Sequence, residues 1–153
     1  MSKLFTTEQK ALLAKGLNTL LANTYMLKLK THNFHWNVTG PHFTSLHELF
    51  EKHYDEMEVA VDEIAERIRA IGEYAAGSIE QFQALNQISS ESGVPSSNEM
   101  IQQLVEGQEV IVKICQEFIT QAEEANDVPT VDLLTRRIFE HEKNAWMLGS
   151  LLQ

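Results

Sequence analysis

Only three prolines interrupt the chain, Pro41, Pro95 and Pro129, and each lies between long segments of helical hydrophobic period. A proline inside a helix removes a hydrogen bond and clashes with the preceding turn, so these positions divide the chain into long helical stretches. The first stretch opens on a capping-box pattern, Thr6-x-x-Gln9, and carries Leu13, Leu17, Leu20, Leu27 and Phe34 at helical spacing. The second, Phe43 to Ile71, places Phe43, Leu46, Phe50, Met57, Val61, Ile64 and Ile68 on one core-facing stripe. After Gly72 and Gly77, Ser78-x-x-Gln81 starts a piece reaching about Ile88, too short to be a bundle member. The loop SSESGVPSS leads to Ser96-x-x-Glu99 and a third long helix with Leu104, Ile111, Cys115, Phe118 and Ala122 inward. Asn126–Pro129 breaks it, and a last helix from about Thr130 turns Val131, Leu134, Ile138, Ala145 and Leu148 inward. Period-two alternation is absent over any useful length, so strands are not expected. The reading is an all-α four-helix bundle, with a short helix in the long crossover between helices two and three.

One long crossover is the connection of the ferritin-like bundles. The length of 153 residues suits one domain spanning 1–153, without repeats or linkers, and 43% hydrophobic residues exclude disorder. Cys115 is the single cysteine, so no internal disulfide exists, and its apolar surroundings predict a buried, inert thiol. The amino terminus MSKLFTTEQK lacks a signal-peptide core and no stretch is apolar enough for a membrane span. A cytoplasmic protein is expected. The net charge of -10 argues against a basic nucleic-acid surface and suits cation handling.

The chemistry concentrates between His35 and Glu66. On the second helix His47/Glu51 and Asp62/Glu66 are i,i+4 pairs. With His47 at zero, Glu51 falls near about 40°, Asp62 near about 60° and Glu66 near about 100° on the helical wheel. One stripe bordering the core therefore carries all four. The pairs are centred roughly 15 residues apart, which at about 1.5 Å per residue is roughly 22 Å, whereas a transition metal holds its ligands at about 2 Å. One ion cannot collect both pairs from a single helix. A two-fold partner with an antiparallel helix would bring one chain's His47/Glu51 end against the other's Asp62/Glu66 end, making two equivalent sites. An internal centre built on Glu-x-x-His motifs is not expected, because none of His32, His35, His42, His47, His53 and His141 has a glutamate three residues before it.

The run HWNVTGPHFTSLHELFE followed by DEIAERI resembles the core signature of the Dps proteins, the miniferritins, and the likeness extends through the closing HEKNAWML. The resemblance implies a ferroxidase site between two-fold related subunits, with metal ligands His35, His47 and Glu51 from one chain and Asp62 and Glu66 from its partner. Many members carry Asp where Glu51 stands. Trp36 matches an aromatic residue that packs near the site. The resemblance further implies a homo-oligomeric, twelve-subunit hollow shell that oxidises Fe(II) with hydrogen peroxide and stores the Fe(III) mineral. The cofactor is then iron in a two-iron site; zinc or manganese would also bind imidazole and carboxylates. His32, His42, His53 and His141 lack a complete ligand set and are expected at surface or interface positions. Glu48, Asp55, Glu56 and Glu58 have two readings, a mineral-seeding inner surface or an ordinary charged exterior. Asp127 and Asp132 suit a negatively charged pore in the family, while Asp127 as a helix N-cap is the competing account.

DNA coating in this family uses a lysine-rich terminal extension, since phosphate neutralisation needs several cations within reach. The first ten residues supply Lys3 and Lys10 against Glu8, and a twelve-chain shell would carry a formal charge of 12 × -10 = -120. DNA binding is expected to be weak or absent. The alternative is a nucleoid-binding architectural protein that shields DNA physically, nucleoid-associated within the cytoplasm. A helical cage recognised by its surface is a third class without a supporting feature.

Overall fold

The structure, a computed structural model, describes residues 4–152. It contains α1 (Thr7–Asn37), α2 (Phe43–Ile71), the short α3 (Ile79–Leu85), α4 (Ser97–Glu124), α5 (Val128–Gly149) and a closing 3₁₀ turn, Ser150–Leu152. No strand occurs among the described residues. The fold is an all-α, ferritin-like bundle of four long helices with α3 in the crossover.

All three capping boxes form. The side chains of Thr6, Ser78 and Ser96 accept from the backbone N–H of Gln9, Gln81 and Glu99, and each of these three reaches back to the capping residue's N–H. Two boundaries differ from the sequence reading. The piece after Ser78 ends at Leu85 rather than Ile88, because the Asn86 amide bonds both the N–H and the carbonyl of Ile88 and turns the chain. The last helix begins at Val128, two residues early: Asp127 caps it, and Pro129 fits the first turn, where its missing N–H costs nothing.

The α1 residues expected inside, Leu13, Leu17, Leu20, Leu27 and Phe34, are all fully buried. So are Leu104, Ile111, Cys115 and Ala122 of α4, with Phe118 nearly so. Burial pushes the Cys115 thiol up to about 12, which leaves it inert. α1 packs along both α2 and α4, and α4 along α5. Two glycines set the approach of α1 to α4: a Cβ at Gly107 would lie 2.4 Å from Leu27 Cδ1, and one at Gly16 would lie 2.2 Å from the Phe118 ring. The crossover is tied to α1 by Asn23, which donates to the Leu85 carbonyl (3.0 Å) and accepts from the Gln87 N–H (2.6 Å), and by buried Lys30, which donates to the Ser89 carbonyl (2.7 Å).

Several side chains depart from expectation. Phe43 is 43% exposed instead of lining the core, since it is the first residue of α2. Val61, Val131, Ile138 and Ala145 are half-buried. His53 and His141, expected at surface or interface positions, are 3% and 0% exposed within the chain itself. His53 follows Phe50 by three and precedes Met57 by four, and His141 precedes Leu148 by seven, so helical period carries both into the core. Among the described residues no helix is long and apolar enough to cross a membrane.

Candidate metal centre

The α1–α2 hairpin builds the first half of the site. Val38 ends α1 by donating to the Phe34 carbonyl, Gly40 adopts φ 116°, and Phe43 N–H returns to the Gly40 carbonyl. That positive φ is readily open only to glycine, and it folds the last turn of α1 against the start of α2. His35 and His47 meet there, rings 3.7 Å apart between centroids and inclined by 18°.

The two imidazoles exchange hydrogen bonds. His35 Nδ1 lies 2.8 Å from the His47 carbonyl, and His47 Nδ1 lies 2.8 Å from the His35 carbonyl. A carbonyl oxygen can only accept, so both Nδ1 atoms carry the proton and both Nε2 atoms of the neutral rings keep a lone pair. This arrangement fixes the tautomer that a metal ligand requires. His35 is buried at 7% exposure, His47 is half-buried, and Glu51 is exposed one turn further along α2.

An aromatic cluster surrounds this pair. Tyr54 stands edge-on to His35 at 5.1 Å and stacks on His32 at 4.1 Å; His32 in turn lies 3.9 Å from Trp36. Desolvation raises the Tyr54 hydroxyl above its usual range, with the carboxylates of Glu51 and Asp55 adding to it. His32 is lowered, first by desolvation and then by His35 and Lys28. Sequence reasoning missed Tyr54; its place seven residues after His47 on α2 was the available signal. Trp36 is 59% exposed.

Asp62 and Glu66 are exposed on α2, beyond reach of this histidine pair by the helix rise alone. The structure brings His35 and His47 together and keeps Asp62 and Glu66 apart from them. Among the described residues no three His, Cys, Asp or Glu side chains gather round a common point. The carboxylates of Glu51, Asp62 and Glu66 have no hydrogen bond or ion pair among the described residues. Their neighbours are committed: Glu56 to Arg137, Glu58 to Lys28, and Glu63 to Arg136 at 2.5 Å. Glu48 and Asp55 are equally unpaired among the described residues, so it is their placement on α2, and not the lack of a partner, that sets Glu51, Asp62 and Glu66 apart.

Asp127 resolves in favour of the cap. It is 1% exposed, accepts from Thr130 N–H (3.1 Å) and Thr130 Oγ1 (2.5 Å), and is paired with Arg67 Nη2 at 2.6 Å. Arg67 Nε also donates to Thr130 Oγ1 (3.0 Å), so the carboxylate is consumed in joining α2 to α5. Asp132 is exposed and bonded to Arg136 (2.9 Å).

Residues 14–153 match the family model of the ferritin-like domain. The chain is 39% identical over 150 residues to a low temperature-induced protein of Nostoc sp. (strain PCC 7120), covering 97% of this chain and 84% of that protein. It is 35% identical over 147 residues to the DNA protection during starvation protein of Brevibacillus brevis, covering 96% and 99%. The crystal structure of the Dps protein from Vibrio cholerae O1, described as a member of a broad superfamily of ferritin-like diiron-carboxylate proteins, superposes with a TM-score of 0.93 at 32% identity, covering 97% of this chain and 94% of that one. A bundle with one helical crossover, a histidine pair held as Nε2 donors and a match to the ferritin-like model over nearly the whole chain lead to one assignment: the chain belongs to the Dps family of ferritin-like proteins.

Proposed function

We propose that the protein is a ferroxidase and iron store that takes Fe(II) as substrate at sites shared between two-fold related chains. His35, His47 and Glu51 of one chain form one half of each site, and Asp62 and Glu66 of the other chain form the second half. The observation that carries this reading is the reciprocal His35–His47 bonding, which leaves two neutral Nε2 donors in a hairpin without the carboxylates to complete a coordination sphere. Imidazole nitrogen with carboxylate oxygen suits a borderline divalent ion such as Fe(II), and the hard carboxylates favour the Fe(III) product.

The chemistry balances with hydrogen peroxide as oxidant. Two Fe(II) each give up one electron, the O–O bond breaks, and two protons complete two water molecules, so no one-electron cleavage releases hydroxyl radical. The hairpin's part is to hold the two imidazoles without reorganisation, through the carbonyls of His35 and His47. The product is stored as mineral inside a twelve-chain shell, whose assembly makes each half-site whole. Protection of the cell and its DNA then comes from removing Fe(II) and peroxide together. The charge of -10 per chain supports weak DNA binding in place of physical coating.

The test is anaerobic Fe(II) oxidation on adding peroxide, compared between the wild type and H35A/H47A. Loss of oxidation with the oligomer mass unchanged supports the proposal; an unchanged rate overturns it.

A further inference from the structure

The two imidazoles of the proposed half-site lie in the middle of a row of six rings. Between centroids, Trp36 and His32 are 3.9 Å apart, His32 and Tyr54 4.1 Å, and Tyr54 and His35 5.1 Å. The row continues from His35 to His47 at 3.7 Å and from His47 to Phe43 at 5.1 Å. Three of the rings come from α1 and three from α2. Tyr54 stands between two rings of α1, His32 and His35, whose own centroids are 5.9 Å apart. It stacks on the first and meets the second edge-on.

Hydrogen bonding sets the tautomer of His35 but not the full orientation of its ring. The bond from Nδ1 to the His47 carbonyl leaves a soft χ2 torsion, and a carbonyl oxygen accepts over a broad range of angles. The direction of Nε2 therefore depends on what the ring touches. His47 lies against it at an inclination of 18°, and Tyr54 meets it at 81°, the edge-to-face form that paired rings favour. Tyr54 is itself backed by His32, and among the described residues its hydroxyl has no hydrogen bond. What Tyr54 offers His35 is the ring.

We infer that Tyr54 is a positioning residue: wedged between His32 and His35, its ring fixes the direction in which His35 presents Nε2 to a metal. The hydroxyl takes no part. Tyr54 follows His47 by seven residues and Glu51 by three, so α2 carries two candidate ligands and the support of the third. That His35 is a ligand rests on the function proposed above; that Tyr54 sets its ring does not.

Two measurements on the assembled protein separate those statements. In the metal-free state, long-range nitrogen–proton NMR of the histidine side chains reads the His35 ring. Tyr54→Leu should move and broaden its resonances, while Tyr54→Phe leaves them as in the wild type. With cobalt(II) chloride added, Tyr54→Leu should bind about tenfold more weakly, as loss of a ligand's supporting partner does, and Tyr54→Phe within about twofold of the wild type. Rescue by phenylalanine is the outcome that a hydroxyl acting as donor, ligand or electron source does not give. Equal losses in both variants, or an unmoved His35 signal in Tyr54→Leu, overturn the inference. Should Tyr54→Leu fail to assemble, Tyr54→Met takes its place, filling the space with a flexible chain, and the same outcomes decide. Unchanged Fe(II) oxidation in H35A/H47A would remove the proposed site and leave the NMR result to judge Tyr54.

Discussion

His35 and His47 hold each other by the same bond in both directions, each Nδ1 2.8 Å from the other's backbone carbonyl. The acceptors are main-chain atoms, so the tautomer is set by the hairpin and not by a neighbouring side chain. Both neutral rings are expected to be the Nδ1–H tautomer, with Nε2 open to a metal. Long-range nitrogen–proton NMR spectra check this: pyridine-type shifts at both Nε2 atoms are the expected result, and Nε2–H signals would contradict it. Replacing His47 alone by alanine should slow Fe(II) oxidation by more than about tenfold, given what even partners of metal ligands cost.

A pH dependence follows from the interior histidines. Burial lowers His53 to about 4, against an ordinary value of 6.5, with the nearby Lys52 adding to the shift and Glu56 opposing it. His141 is lowered well below 6.5, first by burial and then by Arg137 and His53. The unfolded chain therefore binds protons near pH 6.5 that the folded chain refuses, so stability is full above that value and is lost as pH falls towards 4. His53 alone should account for roughly 3 kcal/mol of that loss. Urea midpoints measured across this range check it, and H53Q should flatten the slope.

Asp127 joins a helix cap to a buried ion pair. D127A removes the acceptor for Thr130 and takes the carboxylate from Arg67, 20% exposed at its side chain, leaving it only the bond from Nε to Thr130 Oγ1. The loss should be about 3 kcal/mol, the sum expected of a missing cap and a broken, partly solvated pair. D127N keeps a capping oxygen and should lose about half as much. Denaturant unfolding with an unchanged slope is the measurement.

The contact of α1 with α4 at Gly107 predicts non-additive mutants. G107A places a methyl group against Leu27 Cδ1 and should cost about 1–3 kcal/mol by overpacking. In L27A, where that carbon is absent, the same substitution should be close to neutral. A double-mutant cycle reads the coupling directly.

Much of this architecture is written in short-range sequence signals. Capping boxes at Thr6, Ser78 and Ser96, prolines between helices and the apolar stripes located every long helix, because each signal acts within a few residues. Pro129 misled, since a proline that cannot sit within a helix is at home in its first turn. The histidines divide for a similar reason. His47 was legible through its spacing to Glu51 and His35 through the family resemblance, whereas His53 and His141 were expected at surface or interface positions because neither has a complete ligand set at helical spacing. Gln108, which accepts from His141, lies on α4 and no local pattern announces it, whereas Arg137 stands four residues before His141 on α5 and was the one partner within local reach. Asp62 and Glu66 were named by pattern, and their role waits on a second chain.

DNA should bind weakly. With -10 charges per chain, mobility-shift titration at physiological salt is expected to leave duplex DNA free at protein concentrations that give full iron oxidation. Tight condensation of DNA would favour the architectural reading.

The central claim is that two chains complete each site, and subunit mixing tests it most directly. H35A/H47A lacks one half-site and D62N/E66Q lacks the other, and each alone should be inactive towards Fe(II) and peroxide. Unfolded together in equal amounts and reassembled, they should recover about a quarter of wild-type oxidation, because a random two-fold pairing makes that share of sites whole. No recovery from a properly assembled mixture, or full activity in either variant alone, would contradict the shared site.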